Sequence, residues 1–483
     1  MLQGTGSHAG KTVLVAGFCR LLARRGLRVA PFKSQNMSLN AHVAVEGGEM
    51  GWAQVMQAEA AGVPPRVEMN PILLKPRGEA RSQVVLLGRV LQEADARAYY
   101  RLTPTLWPAV RRSYEALAGE ADVVVIEGAG SPAEPNLMRR DLANMRVARL
   151  ARAPVLLVGD IDRGGAFASL LGTMMLLSPP DRQRVRGFVI NKFRGDPSLL
   201  APAVRDLVRR TRVDVVGVVP FLPRLGLPEE DSVALDRGAG VAADGLRVAV
   251  VRLPHIANFT DFAPLESEPG VRVVYAATPR DLAGATLVIL PGSKDTIADL
   301  HALRSLGFTR TLDEHRRRGG HVLGICAGYQ MLGRAVADPH RVESGGAAAG
   351  LGLLAVATTL TPEKVTRRVR ARWLPEGPDF DGYEIHTGVT TADGAPRPLL
   401  EVEGRAEGCV SPDGRVWGTY VHGLFESGAV RRHVMDWARG ANAPAPSSAP
   451  LDHRALREVA YERLADTLAA SIDPRLLREL GAS

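Results

Sequence analysis

The sequence predicts two α/β units in tandem, the first doubly wound around a parallel sheet, with a short helical tail behind the second. Three observations predict it. The chain has 483 residues, more than one hydrophobic core organises. Short runs of Val, Ile and Leu alternate with stretches of helical spacing, the habit of strands buried on both faces of a parallel sheet. A stretch rich in Pro, Gly and acidic residues, "PRLGLPEEDSVALDRGAGVAADG", interrupts the alternation near residues 223–246 and marks a domain boundary.

In the first unit, taken as residues 1–235, the strand-like runs are "KTVLVAGF", "ADVVVIEGAG", "APVLLVGDID", "VRGFVINKF" and "VDVVGVVPF". Residues 137–151 and 198–210 carry helical spacing between them. The second unit, residues 246–440, opens with "LRVAVVRLP", "VRVVYAA", "ATLVILPGSK" and "GHVLGICAGYQ". A Gly- and Ala-rich stretch at 344–352 and β-like segments around 382–425 follow. After the loop "ANAPAPSSAP", residues 451–482 read as helix, and the tail is taken as 441–483. There is no internal repeat.

Composition narrows the function classes. Apolar content of 46% and charged content of 23% are those of a globular protein. No apolar run is long enough to span a bilayer and no signal peptide opens the chain, so the expectation is a cytoplasmic protein without a membrane partner. Cys19, Cys326 and Cys409 are odd in number and far apart, which argues against a disulfide framework and against a metal cluster. The net charge of +8 suits a polyanionic partner or a general Arg-rich bias. No Lys/Arg block with interleaved aromatics occurs, so nucleic acid is not expected.

Residues 2–12 read "LQGTGSHAGKT", ahead of "VLVAGFCRLLARRG", which reads as a helix. Backbone N–H groups of a Gly-rich turn and a helix N-terminus cradle an anion. Lys11 reaches terminal phosphates and the Thr12 hydroxyl holds Mg²⁺. Thr5 stands where the common G-x-x-x-x-G-K-[ST] loop has Gly. The spacing, with Thr5, Gly10, Lys11 and Thr12, resembles instead the G-T-x-S-x-x-G-K-T loop of dethiobiotin synthetase-like proteins. Glu127, at the end of a buried strand, either completes Mg²⁺ coordination or merely starts a loop. Asp160 and Asp162, at the end of another, either bind metal or substrate or cap the next helix.

A second signature is "LGICAGYQMLG" at 323–333, a strand, a Cys between small residues, and a helix. That is the shape of a nucleophile elbow, in which the turn exposes Cys326 and the helix N-terminus favours negative charge there. Ala327 and Gly328 leave room for a close-approaching substrate. In "LPGSKDT" the backbone N–H groups of Gly292 and Ser293 suit an oxyanion hole, and in "GTYVHGLF" His422 suits the general base. Cys, oxyanion loop and His stand in the order of a Cys-nucleophile glutamine amidotransferase of class I. Leu424 occupies the position where members with a full triad carry a Glu, so either another group orients His422 or the site works as a dyad. Glu426 is near, but spacing alone does not assign it the role.

Together these signatures resemble the cobyric acid synthase family of cobalamin biosynthesis. The resemblance runs nearly end to end, through "QGTGSHAGKT", "KSQNMSLNA", "MNPILLKP", "GDIDRGG", "VINKFRGD", "NFTDFAPLE", "PGSKDTIADL", "GICAGYQMLG", "GYEIHTG" and "YVHGLF". Departures are small: His8 stands where Asp is usual and Asp295 where Asn is common. The resemblance implies ATP and Mg²⁺ as cofactors, with glutamine and adenosylcobyrinic acid a,c-diamide as substrates. It implies amidation of four peripheral carboxylates through acyl phosphates, and a protected ammonia path between the units. Lys33, Gln35, Asn36, Ser38, Asn40, Asn70 and Lys75 are candidate contacts to corrinoid or phosphate, or loop-capping and solvated residues. Tyr383, Glu384 and His386 shape the glutaminase pocket or the interface. Cobyrinic acid a,c-diamide synthase shares the chemistry-bearing residues. A partitioning-type ATPase would explain the phosphate loop but leave Cys326 and His422 without purpose. Neither the ammonia path nor the oligomeric state is legible.

Overall fold

A computed structural model describes residues 1–78, 81–223, 225–228, 245–440 and 451–479. Most of the boundary read at 223–246, the loop at 441–450 and the last four residues lie outside the described residues.

The first unit is built on six strands: β1 (Leu2–Gly4), β2 (Val29–Phe32), β3 (Val123–Ile126), β4 (Val155–Asp160), β5 (Val185–Phe193) and β6 (Val215–Pro220). They pair in parallel in the order β2-β3-β1-β4-β5-β6, with β3 and β1 joined through a bridge between Leu2 and Glu127. Every strand therefore ends on one edge, where open α/β sheets bind ligands. The run "KTVLVAGF" is not a strand, and the helix read from "VLVAGFCRLLARRG" is the one that forms. Lys11–Arg24 is one helix, α1, and the strand is the shorter β1 before it. Residues Leu14 to Cys19, Leu21 and Leu22 are all buried, so α1 is apolar around much of its circumference and its helical period is hidden.

A layer unforeseen in the sequence interrupts this unit. Gln35–Met37, Ile72–Arg77, Arg81–Leu86 and Arg89–Asp95 form a separate four-stranded sheet. Beside it runs α2 (Trp52–Ala61).

The second unit has a parallel sheet of β7 (Leu246–Val251), β8 (Val271–Ala276), β9 (Leu287–Leu290), β10 (His321–Ile325) and β11 (Val416–Thr419), in the order β8-β7-β9-β10-β11. Cys409–Val410 closes one edge antiparallel. A long hairpin, Val356–Trp373 with Asp379–Ala392, forms a second sheet, and Val421–His422 joins it beside Tyr383 and Glu384. The short helix α3 (Ala327–Leu332) follows β10.

The last long helix, α4 (His453–Ser471), returns to the first unit. Arg24 of α1 pairs with Glu462 at 3.0 Å and Asp466 at 2.6 Å on α4, and Leu464 and Leu468 join the core that holds Leu14 and Phe18. Among the described residues no helix is long and apolar enough to cross a membrane.

Candidate active site

The carboxyl edge of the first sheet assembles Lys11, Thr12, Lys33 and Glu127. Lys11 is buried, its ammonium donating to the carbonyl oxygens of Gly6 (2.9 Å) and Gly130 (3.2 Å). Glu127 leaves the end of β3 almost wholly buried. Its Oε1 accepts the Thr12 hydroxyl (2.9 Å) and lies 2.8 Å from the Lys33 ammonium, and its Oε2 accepts Gln57 of α2 (2.6 Å). Burial pushes this carboxyl up, but Lys33, Lys11 and Gln57 outweigh it and hold it below the usual carboxylate range. The Thr12 hydroxyl and the Glu127 carboxylate are hard oxygens side by side, a donor set that fits Mg²⁺ beside phosphate oxygens. Lys33 is the cation that now neutralises Glu127.

The turn itself is held from β5. Asn191 donates to the Ala9 carbonyl (2.9 Å) and Lys192 to the His8 carbonyl (2.7 Å). His8 has φ 62°, a left-handed conformation that Asp, Asn and His all tolerate, so the departure at position 8 leaves the turn intact. Gly10 has φ 87°, and a Cβ there would stand 2.2 Å from Asn191 Nδ2. Gly10→Ala is therefore expected to weaken ATP binding about 10-fold or more, from strain of ~1–2 kcal/mol and a displaced Asn191. Nucleotide titration checks it.

The remaining candidates of this unit are mostly occupied in holding the fold. Asp160 and Asp162 do not cap the next helix, Ala166–Leu176, which starts after Gly165 without a side-chain cap. Asp160 binds Lys192 (2.7 Å) and Asp162 binds Arg194 (2.9 Å), tying β4 to the end of β5. Gln35 accepts the Tyr99 hydroxyl, Asn36 donates to Gln54 (2.9 Å) and Ser38 accepts the Asn40 N–H (3.0 Å). Asn70 bridges the backbones of Lys33, Gly51 and Ile72. Asn40 and Lys75 face the second unit: Asn40 accepts the Thr260 N–H (3.4 Å), and Lys75 pairs with Glu49 (2.6 Å), which also takes Lys364 of the long hairpin.

In the second unit Cys326 sits between β10 and α3 with φ 56° and ψ −112°, strained for a residue with a side chain, as a nucleophile elbow requires. It is 8% exposed, and its thiol donates to the Ile385 carbonyl (3.5 Å) in the cavity it shares with His422. The smallness of Gly328 serves packing and not substrate: a Cβ there would stand 1.9 Å from the Leu290 carbonyl oxygen of β9. Gly292 and Ser293 pair with Ile256–Ala257 and line, with Cys326 and His422, a cavity of about 50 Å³. Asp299, fully buried, fixes that loop by accepting the Ser293 hydroxyl (2.6 Å) and His255 Nδ1 (2.8 Å). Asp295 caps the helix after it by accepting the Ala298 N–H (3.2 Å), a task Asn performs equally.

The group that orients His422 is Asp261, in the short turn Phe259–Phe262. His422 Nδ1 lies 2.6 Å from its Oδ2, while its Oδ1 accepts the Gly423 N–H (3.2 Å) and the Tyr383 hydroxyl (3.3 Å). Leu424 is core, and Glu426 is engaged by Arg457 (2.7 Å) and His453 (3.3 Å) of α4. Burial lowers the His422 pKa, but Asp261 and Cys326 outweigh it and raise it to about 10. His386 stacks on Tyr420 at 3.8 Å, and burial holds it neutral, at about 4. Tyr383 stacks on His422 at 5.3 Å and packs at a tilt against His42 of the first unit at 4.3 Å, so it shapes both pocket and interface. Glu384 pairs with Arg367 (2.5 Å).

Asp261→Asn is expected to cut glutamine hydrolysis about 100-fold or more, with ammonia-driven turnover kept. The folded His422 pKa is raised, so its protonated form persists below pH of about 10. Removing Asp261 takes away the largest of the influences that raise it, so the pKa falls and the alkaline limb of the glutaminase profile moves to lower pH. A pH–rate profile of the variant checks this.

Comparison with known proteins agrees with both halves. A family described as a CobQ/CobB/MinD/ParA nucleotide binding domain matches residues 1–233, and one described as a CobB/CobQ-like glutamine amidotransferase domain matches 247–430. A cobyric acid synthase of Desulforudis audaxviator is 52% identical over 98% of this chain and 97% of its own. That of Methylorubrum populi is 50% identical over 98% and 97%, and that of Syntrophobacter fumaroxidans 46% over 99% and 98%. Identity of this degree over both units, with the phosphate loop and the Cys326–His422 pair in place, shows that the chain belongs to the cobyric acid synthase family.

Proposed function

We propose that the chain uses ATP and glutamine to amidate the b, d, e and g carboxylates of adenosylcobyrinic acid a,c-diamide, giving adenosylcobyric acid. The observation that carries this reading is Cys326 in one cavity with His422, whose ring Asp261 holds, in a chain whose other unit holds a phosphate loop. One site activates a carboxylate and the other supplies nitrogen.

A carboxylate is a poor electrophile until its oxygen is made a leaving group. Lys11 and Lys33 stand at the loop to neutralise charge on the transferring phosphoryl group, and the product of that transfer is an acyl phosphate. Mg²⁺ at Thr12 and Glu127 would supply further charge neutralisation there. At the second site the Cys326 sulfur attacks the glutamine amide. The backbone of Gly292 and Ser293 receives the developing oxyanion, and His422 protonates the departing ammonia, leaving a glutamyl thioester for water. Asp261 keeps the His422 ring in place and charged. Ammonia then displaces phosphate from the acyl phosphate.

Mass spectrometry of the corrinoid after incubation with protein, ATP-Mg²⁺ and glutamine tests the reading. Four stepwise acid-to-amide decrements support it. Decrements with cobyrinic acid and none with its a,c-diamide would move the assignment to the a,c-diamide synthase reaction.

A further inference from the structure

The cavity beside Cys326 carries charged groups for which the amide chemistry has no use. Besides the nucleophile and His422 it is lined by Lys75, Lys294, Glu343 and Lys364. Two of these four are already neutralised, because Lys75 and Lys364 both bind the buried Glu49. The other two are not. Among the described residues the Glu343 carboxylate forms no ion pair; it accepts only the N–H (2.6 Å) and hydroxyl (3.4 Å) of Thr296. The Lys294 ammonium donates to a neutral partner, Gln83 Oε1 (3.1 Å).

The placement of Glu343 is built. The Asp338 carboxylate accepts the N–H groups of Val342 (2.7 Å), Glu343 (2.7 Å) and Gly345 (2.9 Å), folding the loop after its strand so that Glu343 reaches the cavity. Uncompensated charge in a half-buried site is costly, and burial pushes the Glu343 carboxyl up and the Lys294 ammonium down, each to about 7. Glu343 and Lys294 form no direct ion pair and burial pushes each toward its neutral form, so a zwitterion that brought a cation to Glu343 and an anion to Lys294 would restore both charges. Glutamine is one: with its amide at Cys326, its α-ammonium and α-carboxylate groups remain to be desolvated, and each needs a counter-charge.

On the glutaminase reading given above, we propose that Glu343 receives the α-ammonium group of glutamine and Lys294 its α-carboxylate. The pair then selects the amino-acid end of the nitrogen donor, a task separate from amide cleavage.

The test compares hydrolysis of glutamine with that of glutaramate, which lacks the α-amino group, and of 4-aminobutanamide, which lacks the α-carboxylate. Wild-type kcat/KM is expected to be about 30-fold or more lower for each, the worth of one hydrogen-bonded charge. Glu343→Gln should raise the glutamine KM, hold kcat, and shrink the discrimination against glutaramate to a few-fold. Lys294→Met should do the same for 4-aminobutanamide. Ammonia-driven amidation should stay at the wild-type rate in both. A Glu343→Gln protein slowed equally on glutamine and glutaramate would overturn the assignment, reducing Glu343 to a loop-packing residue. The wild-type comparison needs no variant, and equal use of glutamine and glutaramate would also overturn it. A wild-type protein that hydrolyses no glutamine at all would instead bring down the glutaminase reading beneath it.

Discussion

Cys326→Ala is expected to abolish glutamine-driven amidation, a loss of about 10⁴-fold or more, while added ammonium salts restore product. The size follows from the chemistry, since without the sulfur no thioester forms and water must attack an unactivated amide. The rescue follows from the architecture. Cys326 lies at the β10–α3 turn of the second unit and the phosphate loop in the first, so the acyl phosphate still forms and takes ammonia from solution. Rates with glutamine and with ammonium, measured on one preparation, check both halves. A variant dead with either donor would show that the thiol serves the whole fold instead of one half-site.

Lys11→Ala is expected to show the complementary pattern, loss of amidation with either nitrogen source by about 10³-fold or more. Lys11 is 6% exposed and held against the loop carbonyls of Gly6 and Gly130, so its charge is concentrated where a phosphate enters. Glutamine hydrolysis measured alone should survive, because Cys326, His422 and Asp261 lie in the second unit. Retained ammonia-driven amidation in Lys11→Ala would remove the phosphate loop from the reaction.

What the sequence made legible were elements whose chemistry is local. Gly10, Lys11 and Thr12 are consecutive, and Cys326 lies between its strand and helix, so each site declares its type within a dozen residues. Asp261 escaped because it is 161 residues from His422, and the short-range rule that places a triad Glu two residues on pointed to Leu424. Its only signal was the motif "NFTDFAPLE", noted without a role. The four-stranded layer from Gln35 to Asp95 was missed because Gln35–Met37 and Arg89–Asp95 are mostly polar, and the apolar runs of the other two strands, Ile72 to Leu74 and Val84 to Leu86, are short. The run "KTVLVAGF" also looked like a strand, because a helix covered by both the sheet and α4 is as apolar as one, and it was the phosphate loop ahead of it that marked the segment as helix. Candidates such as Asn36 and Asn70 were chosen by residue type, and burial with hydrogen-bond partners is information that only the fold supplies.

The central claim is that nitrogen freed at Cys326 ends in the amide made at the phosphate loop. The most direct measurement is mass spectrometry of the corrinoid made from amide-¹⁵N glutamine, ATP-Mg²⁺ and adenosylcobyrinic acid a,c-diamide, in buffer containing unlabelled ammonium. The account predicts amide groups that carry the label at every step. Unlabelled amides, or glutamate released with the corrinoid unchanged, would contradict it.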